Sequence, residues 1–152
     1  MHHHKPSVAV LLLNYNQWRM TIECVSSILA SDYEPFVIFL IDNGSHSDED
    51  FQQLQKYNSD KCEAFRLETN RGYVGGMNYG LELAHSRRFN LFLIMNNDTI
   101  IAPDAISKLV ASSEKYDYQC IVTGKVYHYD RPNVLQFVGY EITNKKNLTM
   151  QR

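Results

Sequence analysis

Three polar clusters, each placed directly behind an apolar run, hold most of the chemistry in this sequence: Asn14-Tyr15-Asn16, Asp42-Asn43-Gly44-Ser45 and Asn96-Asn97-Asp98-Thr99. The runs before them, Val8 to Leu13, Phe36 to Ile41 and Phe89 to Met95, have the length and composition of strands covered on both faces. In parallel α/β sheets ligands bind outside the carboxyl ends of strands, so the three clusters are expected on one rim. The Asp42 carboxylate suits the N–H of a nucleobase, with Asn43 and Ser45 shaping the loop, although the same four residues are also ordinary turn chemistry. Asn14 and Asn16 read either as ligand contacts or as local caps. Asp98 offers one carboxylate to a hard divalent cation that takes its other ligands from phosphate and water, or else it caps the helix near Pro103.

A fourth segment, Asn70-Arg71-Gly72-Tyr73-Val74-Gly75-Gly76, precedes a helical pattern. Its glycines would let backbone N–H groups and the Arg71 guanidinium approach diphosphate oxygens; the alternative is a tight turn with Arg71 solvated. The spacing is neither the GxGxxG of dinucleotide binders nor the GxxxxGK[ST] of a P-loop, and Gly124-Lys125 lacks the loop such a motif needs. His46, His85 and His128 have no zinc-ligand spacing, and no GxSxG elbow is present.

The elements that must carry these clusters follow from periodicity. Trp18, Ile22, Val25 and Leu29 recur at helical spacing, with Asn16 as the expected cap. A helix near Asp48 carries Phe51, Leu54 and Tyr57, and Cys62 to Leu67 alternates as a more exposed strand. A helix from Val74 aligns Met77, Leu81 and Ala84, and Ile106, Leu109, Val110 and Ser113 mark a last one with Pro103 in its first turn. Strands alternating with helices predict right-handed parallel crossovers and an α/β sheet, mostly parallel, with helices on both faces. Beyond Cys120, Ile121 to Tyr127 and Val134 to Val138 read as strands joined by the turn Asp130-Arg131-Pro132-Asn133.

At 152 residues the chain has the length of one domain, and 44% apolar against 21% charged residues argues for a packed core rather than disorder. Fifteen basic against seventeen acidic residues leave no field for a nucleic-acid backbone. Cys24, Cys62 and Cys120 form no CxxC pair and read as free thiols of a reducing compartment. No apolar run approaches the length that spans a membrane.

In combination the motifs resemble family 2 glycosyltransferases of the GT-A fold, particularly the rhamnosyltransferase-like branch. The resemblance rests on Val8 to Asn16, on Ile41-Asp42-Asn43-Gly44-Ser45, on Asn70 to Gly80 with Ala84, and on Met95-Asn96-Asn97-Asp98-Thr99, in that order; Gly124 to Tyr129 and Gly139 resemble a later family segment. It implies a Rossmann-like nucleotide-sugar-binding domain over 7–142, after an N-terminal extension or tag remnant at 1–6 and before a polar tail, 143–152, of a truncated domain. The implied activity is transfer of a sugar from a nucleotide-sugar donor to a hydroxyl acceptor, such as a saccharide, for cell-surface polysaccharide synthesis. By the same resemblance Asn14, Asn16, Asp42, Ser45, Arg71, Gly75 and Asn97 would contact the donor, and Asp98 would contact Mg or Mn. Asn96 stands where the usual Asp-x-Asp motif has its first acid, which leaves the cation more dependent on Asp98 and the diphosphate. No residue matches the family's acidic base, so the alternative is a non-catalytic nucleotide-sugar-binding or interaction protein, or an inactive fragment. The implied location is cytoplasmic, with peripheral association at the inner face of the cell membrane open.

Overall fold

The computed structural model of the chain describes residues 5–138, 141–144 and 149–151, with side chains through residue 138. The elements are β1 (Val8–Asn14), α1 (Trp18–Leu29), β2 (Phe36–Asp42), α2 (Asp48–Gln55), β3 (Cys62–Arg66), α3 (Gly72–Ser86), β4 (Leu91–Asn96), α4 (Ala105–Glu114), β5 (Val126–Tyr127), β6 (Leu135–Phe137), β7 (Glu141–Asn144) and β8 (Thr149–Gln151). They divide into two compact units, Met1–Ile106 and Ser107–Arg152.

In the first unit the solid apolar runs of β1 and β2 become central strands of a four-stranded sheet ordered β3-β2-β1-β4. Every pairing is parallel. The chain steps outward from β1 through β2 to β3, then α3 carries it back to β4 on the far side of β1. Right-handed crossovers that reverse direction put their helices on opposite faces. Accordingly α3 lies over the face formed by Ala9, Leu11, Phe39 and Ile41, which cluster with Met77 and Ala84. The alternate residues Val10, Leu12, Ile38 and Leu40 are fully buried on the other face, the side of α1 and α2. Each enclosed Leu, Ile or Phe side chain contributes about 1.5–3 kcal/mol, which makes the two central strands the main stabilising element. The strand order reverses between β1 and β4, and in open α/β sheets ligands bind outside the carboxyl ends of the strands at such a point.

Several elements differ from the sequence-based expectation. Leu91–Asn96 is as apolar as the central strands, yet among the described residues it is the edge of the sheet, with Phe92 and Ile94 exposed. In register they sit beside Ala9 and Leu11, on the face of α3, which packs over β1 and β2. The buried stripe of α1 is Thr21, Cys24, Val25 and Ile28; Trp18, Ile22 and Leu29 flank it half-buried. Asn16 is not the cap of α1, because it takes a left-handed backbone (φ 56°) and the N-cap position falls to Gln17, which makes no side-chain cap. Ser47 caps α2 by accepting from the Glu49 N–H.

The glycine segment is less of a loop than expected, since α3 already begins at Gly72 and includes Gly75 and Gly76. On its buried side Gly76 and Gly80 bring the helix onto Leu13 and Ile41, where an added Cβ would lie 2.4 and 2.8 Å from those side chains. Leu81 is only half-buried.

Pro103 lies in the turn before α4 rather than in its first turn. In the second unit, β5 and β6 pair antiparallel across the expected turn, but the strands are short and 121–125 forms no strand. Strands β7 and β8 pair antiparallel, with β7 starting before and β8 lying inside the 143–152 stretch read as a polar tail. Gly139 lies outside the described residues. No helix among the described residues is long and apolar enough to cross a membrane.

Candidate functional site

The carboxyl ends of the strands carry a hydrogen-bonded chain that crosses the sheet. Asn97, just after β4, donates its Nδ2 to Thr21 Oγ1 at 2.8 Å, and Thr21 donates to Asn14 Oδ1 at 2.8 Å. Asn14 in turn donates Nδ2 to Asp42 Oδ1 at 2.9 Å and to Ser45 Oγ at 3.1 Å. Ser45 Oγ closes the set with a 2.5 Å bond to Asp42 Oδ1. Every donor in this chain points toward the Asp42 carboxylate.

Parallel register explains the alignment. Asn14 is the partner of Asp42, and Asp42 the partner of Arg66, so the last residues of β1, β2 and β3 form one row on one face. Arg66 spreads its guanidinium over the row's outer end: Nε is 3.5 Å from Asp42 Oδ2, Nη1 is 2.7 Å from Asp48 Oδ1, and Nη2 donates to the Ser45 carbonyl at 3.4 Å.

Asp42 is 0% exposed. Its Oδ1 is committed to two donors, while Oδ2 has no hydrogen-bond partner among the described residues. Ser45 Oγ donates once and accepts from both Asn14 Nδ2 and the Asn16 N–H, which fills the hydroxyl's capacity. Both hydrogens of the Asn14 amide are likewise used. The Asn14 amide hydrogens and the Ser45 hydroxyl are therefore committed within the protein. Asn16 is exposed and its Oδ1 accepts from the His46 N–H at 2.9 Å; Tyr15 Oη and His46 Nε2 meet at 3.1 Å above it.

Asn43 ties the fourth segment to this rim. Its Nδ2 donates to Asn70 Oδ1 (2.9 Å) and the Gly72 carbonyl (3.1 Å), and its Oδ1 accepts from the Arg71 N–H at 3.0 Å. The Arg71 side chain stays exposed at the amino end of α3. Gly75 clears its path, because a Cβ there would lie 2.8 Å from Arg71 Cβ. Gly44 takes φ 71° and lets the 42–45 loop touch the Thr69–Asn70 backbone, 2.6 Å from where a Cβ would sit.

On the β4 side, Asp98 is exposed and Asn96 is exposed beside it. Cys24, one turn beyond Thr21, donates Sγ to the Asn96 carbonyl at 3.7 Å. Burial pushes the Cys24 thiol up to about 11, partly offset by a backbone hydrogen bond from Thr99 and reinforced by the Asp98 charge, so the group stays a neutral donor. Among the described residues no three His, Cys, Asp or Glu side chains gather as a metal cage.

The structure thus brings Asn14, Asp42, Ser45 and Asn97 into one hydrogen-bonded set, with Asn16 attached through Ser45 and Arg71 through Asn43. Asp98 follows Asn97 directly. Sequence reasoning missed Thr21, whose signal was a hydroxyl on the stripe it shares with Val25 and Ile28, and Arg66, whose signal was a charge ending a strand.

The sequence matches Glycosyl transferase family 2 over residues 9–150. It is 33% identical over 111 residues to an N-acetylglucosaminyltransferase of Azorhizobium caulinodans, covering 70% of this chain and 27% of that protein. Glycosyltransferase GlyG of Streptococcus pneumoniae is 26% identical over 133 residues, covering 81% of this chain and 40% of that protein. Among solved structures, S. aureus TarS in complex with UDP-GlcNAc superposes with a TM-score of 0.62 at 21% identity, over 73% of this chain and 32% of that one. The mannosyltransferase PcManGT from Pyrobaculum calidifontis, in complex with GDP-Man and Mn2+, gives 0.63 at 19% identity, over 71% and 32%. At such identities the likeness establishes the fold, an α/β domain of the GT-A type. The chain spans 27% and 40% of the lengths of the two curated relatives.

Proposed function

This chain belongs to glycosyl transferase family 2, and on that premise we propose that its first unit binds the nucleoside diphosphate of a nucleotide sugar, whose sugar then passes to a hydroxyl acceptor. The observation that carries this reading is the Asp42 carboxylate. A buried carboxylate oxygen without a hydrogen-bond donor costs about 1–3 kcal/mol or more, and Arg66 Nε at 3.5 Å offsets that only in part. A nucleobase N–H is the missing donor. Since Asp42 reaches no solvent, the base enters by parting the side chains that enclose the carboxylate.

Arg71, exposed at the amino end of α3, supplies a cation for the diphosphate. Asp98 fits Mg or Mn as a single carboxylate, because such an ion keeps waters and takes phosphate oxygens rather than needing an all-protein cage. When bound, that ion supplies positive charge to the leaving diphosphate. The complexes of the two structural neighbours with UDP-GlcNAc and with GDP-Man and Mn2+ support a nucleotide-sugar donor and a divalent ion. The four motifs favour the rhamnosyltransferase-like branch. A saccharide acceptor, cell-surface polysaccharide synthesis and work at the inner face of the cell membrane complete the reading, in keeping with relatives such as a poly-beta-1,6-N-acetyl-D-glucosamine synthase of Staphylococcus epidermidis.

The test is calorimetric titration of the chain with UDP and GDP, with and without Mn2+. One of the two should bind, Asp42→Asn should weaken it in either condition, and Asp98→Asn should abolish the gain from Mn2+. A folded chain with affinity for neither nucleotide would end this reading.

A further inference from the structure

The function read above absorbs both ends of the strand-end chain but leaves its middle member without a role. Thr21 belongs to none of the four motifs, is 0% exposed, and hydrogen-bonds both to Asn14 at the end of β1 and to Asn97 just after β4. A threonine hydroxyl has one hydrogen to give. Here it accepts from Asn97 at 2.8 Å, and its hydrogen lies between Asn14 Oδ1 at 2.8 Å and the Gln17 carbonyl at 3.1 Å. The shorter contact continues the sequence of donors toward Asp42. Among the described residues the Asn97 side chain makes no second hydrogen bond that competes with this one.

Resting on the donor-site reading, we propose that Thr21 is a positioning residue that joins the diphosphate end of the site, at Asn97 and Asp98, to the nucleobase end, at Asp42, so that the two ends bind as one unit. The physical ground is that aligned hydrogen bonds in a buried setting polarise one another, and that a buried amide whose partner is lost either pays desolvation or turns away. If the 96–99 loop moves on engaging a diphosphate, Asn97 Nδ2 moves with it. Thr21 then re-aims, and Asn14 follows. Asn14 holds the Asp42 oxygen that faces away from the base, so its orientation governs where Oδ2 points. The Cys24–Asn96 contact, one turn along the same helix, anchors the first residue of the loop, so movement is taken up beyond it, at Asn97 and Asp98.

The coupling is measured by a double-mutant cycle. UDP, or GDP where that is the nucleotide the wild type binds, is titrated into the 152-residue chain carrying Asn97→Ala, Asp42→Asn or both, first with Thr21 present and then with Thr21→Val, which keeps shape and removes the hydroxyl. The two substitutions should be non-additive with Thr21 and additive with valine; Thr21→Val should weaken UDP about tenfold, and Thr21→Ser should restore it to within about twofold. The ligand-free protein gives a second readout. Asn97→Ala should shift the side-chain amide resonances of Asn14, which Asn97 does not touch, and this holds even if Thr21→Val fails to fold. UDP binding with additive effects in the presence of Thr21, no rescue by serine, or unmoved Asn14 resonances would overturn the coupling while leaving the donor site in place. A folded wild type that binds neither UDP nor GDP would overturn both.

Discussion

Arg66 places its Nε 3.5 Å from the buried Asp42 Oδ2 while its Nη1 holds the exposed Asp48 at 2.7 Å. One guanidinium thereby spans the inside and the outside of the same loop. Arg66→Met should remove the carboxylate's nearest cation and lower stability by about 2 kcal/mol, less than a fully buried pair because Arg66 is a third exposed. Asp48→Ala, which touches only the exposed arm, should cost less than about 0.5 kcal/mol. Urea unfolding of the two variants provides the comparison, and equal losses would refute the division of labour.

Two left-handed glycines predict unequal penalties. Gly44 (φ 71°) has backbone within 2.6 Å of a would-be Cβ, whereas Gly72 (φ 69°) has nothing within 4 Å. Gly72→Ala should cost about 1 kcal/mol from backbone strain alone. Gly44→Ala adds a clash against backbone that cannot rotate away and should cost about 3 kcal/mol. The two melting temperatures decide this.

The Cys62 thiol gives the stability a pH dependence at the alkaline end. Burial, with a smaller contribution from the Glu63 charge, pushes it from 9.0 up to about 12. Because the folded value is the higher one, the unfolded chain loses its proton first. Stability is whole below about pH 9 and falls as pH rises toward 12. Cys62→Ala should flatten the decline in the denaturation midpoint between pH 8.5 and pH 10.5.

Asn43 should matter through Arg71. Its Oδ1 is the acceptor of the Arg71 N–H, so Asn43→Ala should speed hydrogen exchange at that amide about tenfold or more. If Arg71 contacts the diphosphate, the same variant should also weaken UDP binding. Unchanged exchange would show that the Asn70–Gly72 backbone holds itself.

The α/β fold was legible because β1 and β2 are unbroken apolar runs, and continuous burial on both faces leaves that mark on composition. Apolar content does not say whether a strand has neighbours, which is why β4 reads like a central strand although it closes the sheet. In α1 the larger apolar residues Trp18, Ile22 and Leu29 outweigh Thr21 and Cys24 in any periodicity, yet the smaller pair lies against the sheet. Asn14, Asp42 and Asn97 could be found because each stands at or just past the end of an apolar run. Thr21 could not, since its partner Asn97 is 76 residues away and only the crossover to β4 brings them together. The Asp42 loop looks like ordinary turn chemistry until the burial of its carboxylate is seen.

The lateral row of Asn14, Asp42 and Arg66 makes the site intolerant of a particular kind of gene change. One position earlier in each strand stand Leu13, Ile41 and Phe65, which are also register partners but face α3. Side chains alternate at every residue, so inserting or deleting one codon inside β1, β2 or β3 exchanges a polar member of the row for a hydrophobic one and drives the displaced polar group against the helix. A codon added between strands, for instance near Ser31 or Asp60, leaves the alternation intact. Insertion scanning of this gene should therefore give a map with sharp edges: dead strands, permissive connections, and no gradual decline between them.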